Sequence, residues 1–148
     1  MNGESHQFET FLVAGVNDNQ LCLKGWHDRS IDQRTGISFR PTSKESIFQL
    51  RMEAGDLELV ALVSAGVALC GGALRGELLF NEKPVGNFTL DSENWTLLRF
   101  PLSIAEEGWM SFSWRIHNPY IPHEILKNGD FREMGVNIAA IRIERKKQ

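Results

Sequence analysis

Trp109-Met110-Ser111-Phe112-Ser113-Trp114-Arg115-Ile116-His117 puts Met110, Phe112, Trp114 and Ile116 on one parity and Ser111, Ser113, Arg115 and His117 on the other. Successive side chains of a strand point to opposite faces, so this is a strand with one face in a core and one in water. The same alternation recurs on either side of it. Phe48, Leu50 and Met52 alternate with Gln49, Arg51 and Glu53. Two further runs, 77–80 and 85–90, flank Asn81-Glu82-Lys83-Pro84 and read as a hairpin. Trp95 to Leu102 alternates as well, and Leu57 to Val63 is apolar enough to be a central strand. Shorter strand-like runs lie at 8–14, 21–23 and 37–40.

The intervening residues carry turn chemistry: Gly15 to Asn19, the polar loop Gly25 to Gly36, Pro41 to Ser46, Ala54 to Asp56, and Asp91 to Asn94. Ala105 to Gly108 reads as a single helical turn ended by glycine. Ser64 to Ala73, rich in small residues, fits either a bulged strand or a short helix. The closing run, 136–143, has apolar residues on both parities, which predicts a strand covered on both faces near its end. Strand-like runs about every ten residues, with no long amphipathic helix, predict an all-β antiparallel sandwich of jelly-roll-like form. No repeat or composition shift divides the chain, so 1–148 is expected to be a single domain with residues 1–7 frayed.

Composition narrows the function. Sixteen basic and 19 acidic residues are spread over 148 positions, a formal charge of −3. That distribution makes no basic stripe for a phosphate backbone, and nucleic acid is not an expected partner. The most apolar stretch, 57–74, is broken by Glu58, Ser64 and glycines, which argues against a membrane span. The polar N-terminus lacks a signal-peptide pattern, so a cytoplasmic location is the expectation. Cys22 and Cys70, each in an apolar context, read as reduced thiols.

Motifs for catalysis are missing where they would be tested. In Gly66-Val67-Ala68-Leu69-Cys70-Gly71-Gly72-Ala73 the positions of the phosphate-loop lysine and hydroxyl residue are held by Gly72 and Ala73. Glu106-Glu107 and Asp56/Glu58 read as solvated turns rather than opposed acid and base. No histidine pair has zinc-site spacing on one element, and no cofactor or metal is assigned. The four tryptophans carry a different chemistry, because a sugar's C–H face packs on an indole whose N–H is also a donor. Trp26, in a polar loop beside His27, Asp28 and Arg29, reads as the most exposed of them, whereas Trp114 lies on a core parity.

Three stretches together resemble a β-sandwich accessory module of bacterial surface-polysaccharide biosynthesis, often found beside glycosyltransferases. They are Gly25-Trp26 leading into Phe39-Arg40, the hairpin Phe80-Asn81-Glu82-Lys83-Pro84-Val85-Gly86, and Asn118-Pro119 through Pro122 to Asp130-x-Arg132-x-Met134-Gly135-Val136. The resemblance implies a soluble, non-catalytic carbohydrate-binding or glycosyltransferase-associated role. The candidate site then lies between the 26–40 and 118–132 loops and comprises Trp26, Arg40, Tyr120, His123, Asp130 and Arg132. Asp130 and Arg132 can each grip two sugar hydroxyls, or can brace the loop as a turn cap and its tie to the sheet. The alternative role is a protein-interaction or homo-oligomerisation module in which the same aromatics meet protein. An enzyme whose site assembles from distant residues is the third reading.

Overall fold

In the computed structural model, residues 10–145 are described; the expected frayed start, 1–7, lies outside them. Ten strands follow in order: β1 (Phe11–Val13), β2 (Cys22–Trp26), β3 (Ser30–Ile31), β4 (Ser38–Met52), β5 (Gly55–Ser64), β6 (Leu74–Phe80), β7 (Lys83–Leu90), β8 (Thr96–Ile104), β9 (Gly108–Ile116) and β10 (Asn137–Arg145). Single-turn helices α1 (Asp18–Leu21), α2 (Val67–Cys70) and α3 (Pro122–Leu126) lie in the connections. Every strand pairing is antiparallel.

The hydrogen-bonded order is β7-β6-β9-β4-β10-β5-β8, with β2 and β3 on β4 and β1 on β10. Strand β4 belongs to both layers of the sandwich. Its first part pairs Arg40 and Pro41 with Ile138 and Asn137, and its second part runs alongside β9 from Glu45↔Arg115 to Met52↔Gly108. Alternation places the core as the pattern of β9 predicts: Phe112, Trp114 and Ile116 are buried, and Ser111, Arg115 and His117 are exposed. Trp114 joins the layers. It stacks on Phe48 at 6.1 Å within its own sheet and meets Phe100 of β8 edge-on at 6.0 Å from the other. Fully buried aromatics of this size contribute on the order of 3–5 kcal/mol each against alanine.

Several local expectations change. Pro41 to Ser46, expected as a turn, is continuous strand. Thr42 is held extended because its N–H and Oγ donate to the Val136 carbonyl at 2.9 and 2.8 Å, while its own carbonyl accepts the Gly135 N–H at 2.7 Å. Ala105 to Gly108 is a bend and not a helical turn, since only three residues separate β8 from β9. Ser64 to Ala73 resolves in favour of the short helix α2. The β6–β7 turn is tighter than expected: Asn81 and Glu82 alone form it, with φ of 49° and 68°, and Pro84 falls in β7, which ends the strand order. Strand β10 is buried on both faces at its start, where Ile138 and Ala139 are covered, rather than near its end, where Arg142 and Arg145 are exposed.

Candidate functional site

The long connections, 27–37, 65–73, 91–95 and 117–136, gather at the sandwich end where β4 and β10 begin and β5 finishes. The last is the longest and the most heavily tied. Asn118 bonds the entry to β6 twice, accepting from the Arg75 N–H at 2.8 Å and donating to the Ala73 carbonyl at 2.9 Å. Tyr120 and Met134 exchange both backbone bonds, at 3.0 and 2.7 Å, which closes the base of the excursion. Pro122 opens α3 where a missing N–H costs nothing, and Lys127 ends it at φ 51°.

Each of the six residues expected at the site has a definite place. Asp130 and Arg132 bind each other: both carboxylate oxygens accept from the guanidinium at 2.8 Å, and Asp130 Oδ1 also takes the Arg132 N–H at 3.2 Å. The guanidinium draws the Asp130 carboxyl down to about 2. Of the two bracing roles, the turn cap is seen, but Arg132 ties back to the turn and not to the sheet. The Nδ1 of His123 accepts the Gly129 N–H at 2.8 Å, and its ring lies 4.1 Å from that of Phe131. Tyr120 is turned inward, with its hydroxyl against the Gly66 backbone, and burial raises its pKa to about 12. A methyl group on Gly66 would stand 2.7 Å from that hydroxyl, so this contact needs glycine.

Arg40 is part of an internal clamp. Its Nη1 reaches Asp18 Oδ2 at 3.2 Å and Asn19 Oδ1 at 2.9 Å, and its Nε donates to the His27 carbonyl at 2.8 Å. Asp18 is buried and sets the start of α1. His27 in turn places Nε2 2.7 Å from the Glu133 carbonyl, the bond that brings the 26–40 and 118–136 loops together. Trp26, expected as the most exposed indole, is half-buried: its Nε1–H donates to the Ile47 carbonyl at 2.8 Å and its ring meets Phe48 edge-on at 6.2 Å. The indole left in the open is Trp109, 45% exposed.

A polar cleft of about 220 Å³ lies beside these ties, on the other side of the Gly66 segment that Tyr120 backs. Trp95 and Phe39 form its aromatic wall, with ring centroids 5.6 Å apart. Ser64, Gly66 and Asn137 line it from the ends of β5 and β10, and Asp32, Arg34 and Glu93 supply its charges. Asp32 fixes the wall: Oδ2 accepts the Trp95 indole N–H at 2.8 Å and Oδ1 accepts the Arg34 N–H at 2.9 Å. Those bonds, the indole's first, hold the Asp32 carboxyl below its ordinary range. Arg34 reaches the Glu93 carbonyl at 3.2 Å, and the Glu93 carboxylate accepts the Ala68 N–H at 3.3 Å.

The carboxylates, guanidinium and amide that line the cleft are all groups that bond hydroxyls. A general acid at neutral pH needs a raised pKa, and Asp32 is shifted the other way. Sequence reasoning missed the cleft residues, although one signal was available: Trp95 follows the polar turn 91–94 and stands, like Trp26, at the junction of a strand and a polar loop. The long-range partners Asp32 and Phe39 carry no local signal. Cys22 and Cys70 are free thiols, and burial pushes Cys22 up to about 12. Among the described residues no helix is long and apolar enough to cross a membrane.

Neither a protein-family model nor a curated protein sequence matches the chain. Solved structures do match in fold. A family 35 carbohydrate-binding module from Clostridium thermocellum superposes with a TM-score of 0.57 at 9% identity, over 92% of this chain and 98% of that one. The family 35 module of Cellvibrio japonicus Abf62 gives 0.53 at 15% identity, over 93% of each. A further module, Xyl-CBM35, solved in complex with a disaccharide containing glucuronic acid, gives 0.52 at 16% identity, over 93% and 99%. The chain is an antiparallel, jelly-roll-like β-sandwich with the fold of these family 35 modules.

Proposed function

We propose that the chain is a non-catalytic carbohydrate-binding module whose ligand enters the cleft walled by Trp95 and Phe39. The observation that carries this reading is the union of a fixed aromatic wall with hydroxyl-binding groups at the loop end of the sandwich. Asp32 orients the Trp95 ring, while the Glu93 carboxylate, the Arg34 guanidinium and the Asn137 amide are of the types that bond sugar hydroxyls. The shared fold with family 35 modules supports the ligand class. In this reading Trp26, Arg40, Tyr120, His123, Asp130 and Arg132 build and brace the neighbouring walls and do not contact the sugar. The resemblance of the 118–136 stretch supports a setting beside a glycosyltransferase in surface-polysaccharide synthesis.

One observation favours a second reading, a surface that docks on protein: Ile125, Leu126 and Phe131 are 57%, 53% and 67% exposed on the braced excursion. A glycan array of the native protein beside Trp95→Ala, Trp26→Ala and Arg132→Ala, with sedimentation of the same samples, separates the two. Binding to a glycan that is lost in Trp95→Ala and kept in the other two variants is the expected outcome. No binding to any glycan, together with a concentration-dependent dimer, would defeat the first reading in favour of the second.

A further inference from the structure

The outward face of the β7-β6-β9-β4-β2 layer is divided into two unlike halves. Toward the end of β9 its charged side chains are paired off: Arg115 with Glu45 at 3.2 Å, and His117 with Glu77 at 2.9 Å. At the start of β9 stands Trp109, 45% exposed, opposite Arg51 of β4 and two register positions from Ser111↔Gln49 on the same face. Among the described residues no hydrogen bond, ion pair or ring contact engages the Trp109 indole or the side chains of Arg51, Gln49 and Ser111. Of the other three indoles, Trp26 donates to Ile47 and Trp95 to Asp32, while Trp114 is enclosed in the core, where its Nε1–H has no partner among the described residues.

Strand β4 flanks β9 from Gly108 to Arg115, whereas β6 pairs with it only from Phe112 to Ile116, so Trp109 stands past the end of β6 with its indole uncovered. Cross-strand and diagonal neighbours on one face lie about 5 to 8 Å apart, within reach of one six-membered ring laid on the indole. The groups around it are a guanidinium, a primary amide and a hydroxyl, which match the mixed donors and acceptors of a polyol. Protein partners fit less well: a protein interface would desolvate Arg51, which pairs with no carboxylate among the described residues, whereas a sugar on an open face leaves it wet. We propose that this face is a second, shallow saccharide site, with one sugar ring stacked on Trp109 and its hydroxyls bonded by Arg51, Gln49 and Ser111. It goes beyond the cleft reading and stands independently of it, since the two sites share no residue.

The test is a titration of isotopically labelled native protein with cellohexaose, mannohexaose and xylohexaose to about 10 mM, a range suited to the millimolar affinity of a shallow site. The Trp109 indole N–H and the Gln49 side-chain amide should shift together with one hexasaccharide. Trp109→Ala should remove the Gln49 shift, and Arg51→Ala should weaken it several-fold. Because these side chains point outward, unchanged Trp114 signals will confirm that both variants keep the fold. Shifts at Trp95 with none at Trp109 would overturn the inference and leave the cleft reading standing; shifts at Trp109 with none at Trp95 would do the reverse. Loss of self-association in Trp109→Ala, without any saccharide shift at that indole, would reassign the face to protein and also overturn the proposal.

Discussion

Asp18→Ala should unfold the chain far more readily than its place in a surface turn implies. The Asp18 side chain is 2% exposed and faces Arg40, itself 17% exposed, at 3.2 Å. Oδ1 also accepts the Gly15 N–H at 3.0 Å. Hydrogen bonds to a charged group contribute about 1.5–3 kcal/mol each. Arg29, at 3.8 Å, is 45% exposed and solvent-screened, so its share is held below about 0.5 kcal/mol. Together these give about 3–5 kcal/mol, the range found when one member of a buried pair is removed and the other is stranded. For a chain of this length that corresponds to a fall in Tm of roughly 10 °C. Urea unfolding at neutral pH, followed by tryptophan fluorescence, measures it. Asp18→Asn, which keeps the shape and the Gly15 bond, should lose about half as much, and Arg40→Met should lose stability while leaving glycan affinity of the folded protein within about twofold. A loss below about 1 kcal/mol for Asp18→Ala would refute the clamp.

Two further outcomes follow from the excursion. Gly66→Ala places a methyl 2.7 Å from the Tyr120 hydroxyl and should cost about 1–3 kcal/mol, part of it recovered when Tyr120→Phe is added; equal losses in the single and double variants would contradict this. Asp130 has its carboxyl lowered to about 2 by Arg132, so the stabilisation from the pair is present above the ordinary carboxylate range and is lost only as pH falls through about 2. Carboxyl carbon shifts of Asp130 between pH 5 and 1.5 report it directly, and a midpoint near 4 would mean that the bidentate pair does not persist in solution.

The sandwich was legible because its strands repeat one local rule. In β9 every second residue from Phe112 to Ile116 is buried, as alternation alone predicts. What was not legible depended on partners distant in sequence. Thr42 looks like turn chemistry beside Pro41, yet it is held straight by Val136, ninety-four positions away. Trp26 closes β2 and Trp95 precedes β8, each at a strand–loop junction, and only the fold shows that one is spent on Ile47 and Phe48 while the other walls a cleft with Asp32. Asp130 was legible as a turn cap, but its bidentate pairing with Arg132 was not, because the sequence offered Arg132 to the sheet or to a ligand and the fork-to-carboxylate closure is seen only in the fold. Their sequence prominence marked the brace, and the cleft lay beyond it.

The central claim is that Trp95 meets a sugar. Calorimetric titration of the tightest glycan from the array into native, Trp95→Ala and Arg132→Ala protein tests it most directly. Truncating an aromatic anchor of a binding site costs about 2 kcal/mol or more, so Trp95→Ala should weaken binding at least roughly 30-fold while Arg132→Ala changes it little. Equal affinity in the native and Trp95→Ala proteins, with binding lost in Arg132→Ala, would move the site out of the cleft and onto the excursion.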